Sequence, residues 1–282
     1  MPAPSRRRLW IAFAAVSLAA VLLGALVCAL SGIPAAVWGR NLAAWGIGAI
    51  AAAALARWAG PRTRAAILIL TPLLIGATLL SPGQDGVHRW VAAGPAQINI
   101  AMLLLPAFVV GLCFSGRRRL WAWAAALGVQ ALLVVQPDVS QAAALALALV
   151  VAAVGGPAFR GKTAMVAAAL ALMVLAWIRP DPLAPVPEVE EIVALAFAAS
   201  TLLGALCLVA LAALSAAPAW ATLGAAEPAV RTTGRALSVL LLVWAIFPWL
   251  GAFPVPLIGV GPSPVIGAWL GVGLLCAALK TR

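Results

Sequence analysis

From Leu9 to Ser31 the chain runs for about 23 residues without a charged side chain, and comparable runs recur along it, parted by short charged or Pro/Gly-rich clusters. A stretch of that length crosses the ~30 Å hydrocarbon core of a bilayer as a helix, which satisfies every backbone polar group within the segment. Boundaries placed at those clusters predict ten spans, near residues 9–31, 38–56, 65–81, 98–115, 120–136, 139–155, 163–178, 191–216, 236–252 and 264–279. The stretch 120–155 holds only 36 residues and is divided by Gln136-Pro137-Asp138. Proline removes a backbone donor and disfavours helix just before it, so a tight hairpin and one broken helix both fit there. An apolar share of 65%, against about 45–50% in soluble domains, leaves no polar stretch for a second globular unit. The expectation is one all-α, polytopic membrane domain over residues 1–282, with about ten transmembrane helices. Its first run follows Arg6, Arg7 and Arg8 as a signal peptide would, but its length and the spans behind it point to an uncleaved helix. Cys28, Cys113, Cys207 and Cys276 all lie inside apolar runs without CxxC spacing, which argues against disulfides and metal sites.

Charge tests the count independently, because Lys and Arg concentrate in cytoplasmic loops. With the N-terminus inside, the inner side receives 15 of the 18 basic residues, including Arg57, Arg62, Arg64, Arg117, Arg118, Arg119, Arg231, Arg235, Lys280 and Arg282. The outer side keeps Arg40, Arg89 and Arg179, with six of the seven acidic residues: Asp85, Asp138, Asp181, Glu188, Glu190 and Glu191. Both termini are therefore read as cytoplasmic. The partition also accounts for the net charge of +11 without nucleic acid. Short basic clusters at helix ends suit anionic headgroups, and the extended basic arm or aromatic-rich polar surface of a nucleic-acid binder is missing.

Chemistry-bearing side chains collect in three outer segments. Residues 81–99 place the one histidine, His88, beside Arg89 and Trp90. An Arg-Trp pair is either an interfacial anchor or a grip on a phosphorylated substrate. Residues 179–197 carry four prolines and then Glu188, Glu190 and Glu191 at a helix start. Those carboxylates either complement the helix dipole or supply a general base, since adjacent carboxylates repel and raise one another's pKa. Residues 251–267 interleave Pro254, Pro256, Pro262 and Pro264 with glycines. They form either a re-entrant floor or a rigid loop. Asp138 is the odd carboxylate in an apolar stretch, where a charge costs roughly 2.5–3.5 kcal/mol at bilayer depth. Neither a metal cluster, a Ser-His-Asp arrangement, a Walker A loop nor a dinucleotide-binding turn is present.

The order and spacing of these segments resemble the SEDS family, the RodA/FtsW/SpoVE type of shape, elongation, division and sporulation proteins. The family's outer Gln-Arg-Trp followed by Leu-Gly is similar to Gly86-Val87-His88-Arg89-Trp90 leading to Gly94, and its Gln-Pro-Asp to Gln136-Pro137-Asp138. Its His-Thr-Asp-Phe-Ile aligns with Glu188-Val189-Glu190-Glu191-Ile192, and its Pro-Leu-Pro-Leu-Val-Ser-Tyr-Gly-Gly-Ser with Pro254 through Ser263. The resemblance implies a multi-pass protein of the bacterial cytoplasmic (inner) membrane, a peptidoglycan glycosyltransferase that polymerises a polyprenyl-linked disaccharide, lipid II, with a class B penicillin-binding protein as partner. It implies Glu190 as the catalytic base, in the place of the family's aspartate. Arg89, Trp90, Gln136, Asp138, Glu188 and Ser263 then become substrate-binding residues of one outward-facing cavity. No cofactor is certain, and a divalent cation is left open.

Departures from the family pattern stand beside these matches. Asn99-Ile100-Ala101-Met102 replaces Gln-Pro-Ser-Glu and lacks its carboxylate, Ser140-Gln141 replaces Gly-Thr, and the outer loop before the eighth helix is short. Two other classes of function compete with sugar transfer: a lipid or small-molecule transporter or flippase using Asp138 and the broken fifth and sixth helices, and a non-catalytic scaffold for a wall synthase.

Overall fold

The computed structural model describes residues 6–94, 96–116 and 119–279. Arg117, Arg118, Lys280 and Arg282 of the inner basic set lie outside them. The ten apolar runs appear as eleven helices: α1 (Arg6–Leu30), α2 (Ala35–Trp58), α3 (Pro61–Ala77), α4 (Ile100–Cys113), α5 (Arg119–Val135), α6 (Val139–Gly155), α7 (Lys162–Ile178), α8 (Ile192–Ala199), α9 (Thr201–Thr222), α10 (Pro228–Ile246) and α11 (Pro262–Ala278). Single 3₁₀ turns extend α3 at Thr78–Leu80 and α10 at Phe247–Trp249. Four of these helices, counting the extensions, are long and apolar enough to cross a bilayer alone: Arg6–Leu30, Pro61–Leu80, Thr201–Thr222 and Pro228–Trp249. Five shorter apolar helices, together with the 24-residue α2 and the eight-residue α8, complete the eleven, and residues 120–155 resolve into a two-helix hairpin.

The run expected as one span at 191–216 is broken. Ser200 is extended (φ −168°, ψ 135°), α8 stops after eight residues, and α9 continues to Thr222. A Ser-Thr pair forms helix weakly because its hydroxyls compete for the backbone. The Phe197 ring packs against Gly204 across the corner. A second difference lies in segment 81–99, where an antiparallel hairpin of β1 (Trp90–Ala93) and β2 (Ala96–Asn99) pairs Trp90 with Asn99. The helix read from residue 98 therefore starts at Ile100, with Asn99 as its N-cap accepting from the Met102 amide (2.9 Å).

The start of α1 and the end of α11 lie on one face. The Cys276 thiol is 3.9 Å from the Arg6 carbonyl, and the Arg8 guanidinium sits 3.8 Å over the Trp220 ring. Exposed tryptophans confirm the two boundaries: Trp58, Trp121 and Trp220 at helix ends on this face, Trp177 and Trp249 at helix ends on the other. Indole rings prefer the headgroup level, so these positions form two belts. Between them, Leu22, Ile50, Leu73 and Val209 point outward as a lipid-facing surface should.

Helix α11 occupies the centre, packed on α2, α4, α1 and α10. Its Trp269 is wholly buried against Trp10, Phe13 and Trp45 at centroid distances of 5.0, 5.0 and 5.6 Å. Small residues permit the close approach that drives association in lipid, where apolar burial offers little. A Cβ on Gly267 would stand 2.1 Å from the Met102 carbonyl, and one on Gly24 in α1 would stand 2.0 Å from that of Ile258. Gly24→Ala should therefore lower the thermal midpoint in detergent, because the obstructing atom is backbone. Gly46→Ala, with open space around it, should hold or raise that midpoint, Ala being favoured over Gly by about 1 kcal/mol in a helix.

Candidate functional site

The loop after α3 is folded by local chemistry. Asp85 (φ 48°) and Gly86 (φ 81°) form a two-residue turn, closed by reciprocal Gln84–Val87 hydrogen bonds, the left-handed geometry that Asp-Gly tolerates. His88 Nδ1 lies 2.9 Å from the Ser81 carbonyl and so carries its proton. The Gln136 amide donates to Ile75 O (3.2 Å), Thr78 Oγ1 (2.5 Å) and His88 O (2.9 Å), tying the α5–α6 turn to the end of α3. Its amide nitrogen is spent within the protein.

Arg89 is 5% exposed and surrounded by acceptors. Its Nε donates to the Gln136 carbonyl (3.2 Å) and lies 3.6 Å from Asp138 Oδ2; its NH2 donates to the Pro137 carbonyl and to Asp181 Oδ2 (2.7 Å). Asp138 caps α6, accepting from the Gln141 amide (3.3 Å) and the Ser140 hydroxyl (2.9 Å). Beyond it, Gln141 Nε2 donates to Ser140 Oγ, and Trp244 Nε1 donates to Gln141 Oε1 at 2.9 Å. The carboxylate is thus engaged by an N-cap and an ion pair, and the proline beside it accounts for the turn.

The 254–263 segment is a buried floor. Leu257 adopts the left-handed region (φ 63°), and Val255 through Gly259 are all buried. Asn41 of α2 holds the segment, donating to the Gly259 carbonyl (2.8 Å) and accepting from the Gly261 amide (2.9 Å). Val255 N donates to Val189 O (3.0 Å) and Val260 N to Glu188 O (2.8 Å), which seats the floor against the approach to α8. Val186 and Glu190 close a reciprocal turn: Glu190 N donates to Val186 O (3.0 Å), and Val186 N to Glu190 Oε2 (2.7 Å). At the other edge, the buried Ser263 hydroxyl accepts from the Asn99 amide (2.8 Å).

Two adjoining cavities of about 320 and 100 Å³ open among these pieces. The larger includes Glu188 and Ser263, the smaller Arg89 and Asp138, and both include Trp90 and Glu190. Six of the seven side chains singled out from the sequence therefore line this pair of cavities; Gln136 lines neither. Sequence reasoning passed over Arg40, Gln97 and Asn99, which also line the larger one. Also missed were Asp181 and Asn41, which hold Arg89 and the floor. Their only sequence signal is a polar side chain at the outer end of an apolar run.

Burial pushes the Glu190 carboxyl above the ordinary glutamate range, the two neighbouring backbone amides pull it part-way back, and Glu188 and Glu191 raise it further. Among the described residues, no three His, Cys, Asp or Glu side chains stand close enough to hold a metal ion. Arg89→Met leaves two carboxylates and two carbonyls facing an apolar side chain, and should cost about 3–5 kcal/mol, read as a lowered unfolding midpoint in detergent. Arg89→Lys should lose much of that too, a single ammonium being unable to span the same four acceptors.

No family model matches the sequence, and no curated protein matches it either. Solved structures do. The rod-shape-determining protein RodA of Thermus thermophilus superposes with a TM-score of 0.74 at 21% identity, over 96% of this chain and 96% of that one. An Asp-to-Ala mutant of the same protein gives the same score and identity, over 96% of this chain and 97% of that one. A chain from a peptidoglycan synthase complex, described for its coordination of polymerization and crosslinking, superposes at 0.68 and 20% identity over 95% and 97%. The four short motifs thus lie within a whole-chain likeness, and the protein has the polytopic helical fold of the SEDS protein RodA.

Proposed function

We propose that the protein is a divergent SEDS-type component of cell-wall synthesis in the bacterial cytoplasmic membrane. Its reaction is the transfer of a sugar from a polyprenyl-diphosphate donor at the outer leaflet. The observation that carries this reading is the position of Glu190, whose carboxylate borders both cavities at once. An acceptor hydroxyl in one cavity and a donor sugar in the other would meet at that side chain. Oε2 is held by the Val186 amide, which leaves Oε1 for the substrate. As the acceptor oxygen attacks the anomeric carbon, its proton passes to Glu190, the C1–O bond to the diphosphate breaks, and the diphosphate departs with the electron pair. A raised pKa suits this role, because a base near the working pH combines availability with driving force.

The cationic partner for the leaving group is better sought at Arg40 than at Arg89. Arg40 lines the larger of the two cavities, the one that also carries Glu188, Glu190 and Ser263, and Arg89 lines the smaller. Arg89, Asp138 and Gln136 then act as positioning residues that set Trp90 and Glu190 around the cavities. The transport reading relied on Asp138 and the broken fifth and sixth helices as a site, and it draws no support from a carboxylate engaged in capping α6 and pairing with Arg89. A peptidoglycan synthase complex among the structural neighbours supports a wall-synthase partner of the class B penicillin-binding type.

The reading is tested with the protein reconstituted beside such a partner and supplied with a polyprenyl-linked disaccharide. Glu190→Gln should reduce polymerisation by about 10²–10⁴-fold, the usual contribution of a general base, while leaving the unfolding midpoint near the wild-type value. Polymerisation undiminished in that variant would remove Glu190 from the mechanism. The ionised form is the active one and its pKa is raised, so the acidic limb of the pH–rate profile should lie above the ordinary glutamate range. Glu190→Asp should retain part of the rate.

A further inference from the structure

A separate cavity of about 270 Å³ lies at the opposite end of the bundle, between the start of α3, the end of α4 and the start of α5. Pro61 to Leu68 of α3 line it, and residues 69–77, roughly 14 Å of helix, separate it from the outer loops. Its wall carries Arg62, Arg64, Ser115, Phe114 and Trp121 and, among the described residues, no carboxylate. Two polar atoms there are sealed from solvent with no hydrogen-bond partner among the described residues: Nε of Arg64 and Oγ of Ser115. Buried polar atoms are nearly always paired, and a guanidinium donor more so than most. The Arg64 guanidinium also lies 5.2 Å from the Phe114 ring centroid, which steadies its plane.

Two unpaired groups able to donate, two positive charges and no negative one describe a place for an anion. The planar guanidinium fork matches phosphate oxygens in particular, and a serine hydroxyl can donate to a third oxygen. The half-exposed Trp121 sets the cavity at headgroup level on the basic face, where phosphate groups are dense. The first turn of α3, opening at Pro61, adds the positive end of its dipole. We propose that this cavity binds a phosphate group, supplied either by an anionic phospholipid of the cytoplasmic leaflet or by a free phosphate.

Thermal unfolding of the full-length protein in a neutral, delipidated detergent reads the site. It is titrated separately with dioleoylphosphatidylglycerol, with inorganic phosphate at constant ionic strength, and with dioleoylglycerol as a chain-only control. Phosphatidylglycerol or phosphate should raise the midpoint saturably, with apparent affinity about tenfold weaker in Arg64→Gln, the effect of losing one charge-assisted hydrogen bond. Ser115→Ala deletes only an unbonded hydroxyl, so it should fold normally and still weaken the response. Saturation by phosphatidylglycerol alone identifies a lipid headgroup as the source, and an equal response to inorganic phosphate identifies a free anion. The proposal is overturned if neither phosphate compound shifts the midpoint, if dioleoylglycerol shifts it as much, or if wild type and both variants respond alike.

Discussion

A guanidinium shut off from water obliges its surroundings to answer it, and Arg89 is that group here. Its charge is met by two backbone carbonyls from the α5–α6 turn and by two carboxylates 43 residues apart, Asp138 and Asp181. Three chain segments are thereby clamped at one point: the loop after α3, the turn between α5 and α6, and the proline-rich stretch before α8. Taking an ion pair out of water costs several kcal/mol per ion before attraction and hydrogen bonds offset it. Such an arrangement persists only with every partner in place, so the outer face has one geometry.

The floor of the larger cavity shows the same logic with neutral groups. An irregular segment at this depth exposes amides and carbonyls that lipid cannot satisfy. Asn41 takes two carbonyls and one amide, the approach to α8 takes two amides more, and Gly24 lets the Ile258 carbonyl lie directly on α1. Glu188 and Glu190 are placed by that pairing. The carboxylate of Glu190 is held at the meeting of the two cavities by backbone hydrogen bonds, which do not depend on its neighbours' side chains.

Much of this was legible beforehand. Helices were marked by apolar runs and their sidedness by charge, and the tryptophan belts agree with both. The break at Ser200 escaped because the hydropathy of 191–216 is unbroken, and only a corner packed by Phe197 on Gly204 betrays it. The β1–β2 hairpin escaped because its four-residue strands are too short to show an alternating pattern within the outer segment, and only residues 98 and 99 read as helix. Gln136 was grouped with the substrate residues by its motif, yet its amide faces Thr78 and His88, contacts made across about sixty and fifty residues of chain.

The sequence alone determined what each segment is in a bilayer. Solvation of apolar side chains and the placement of positive charges are local quantities, summed over about twenty residues at a time. Which polar groups meet was decided only by tertiary packing. Asn41 and Gly261, Arg89 and Asp181, or Ser263 and Asn99 are paired by loops and helix ends that the packed bundle brings together, and no local pattern encodes such a distance. The cavities, and the carboxylate between them, are products of that packing.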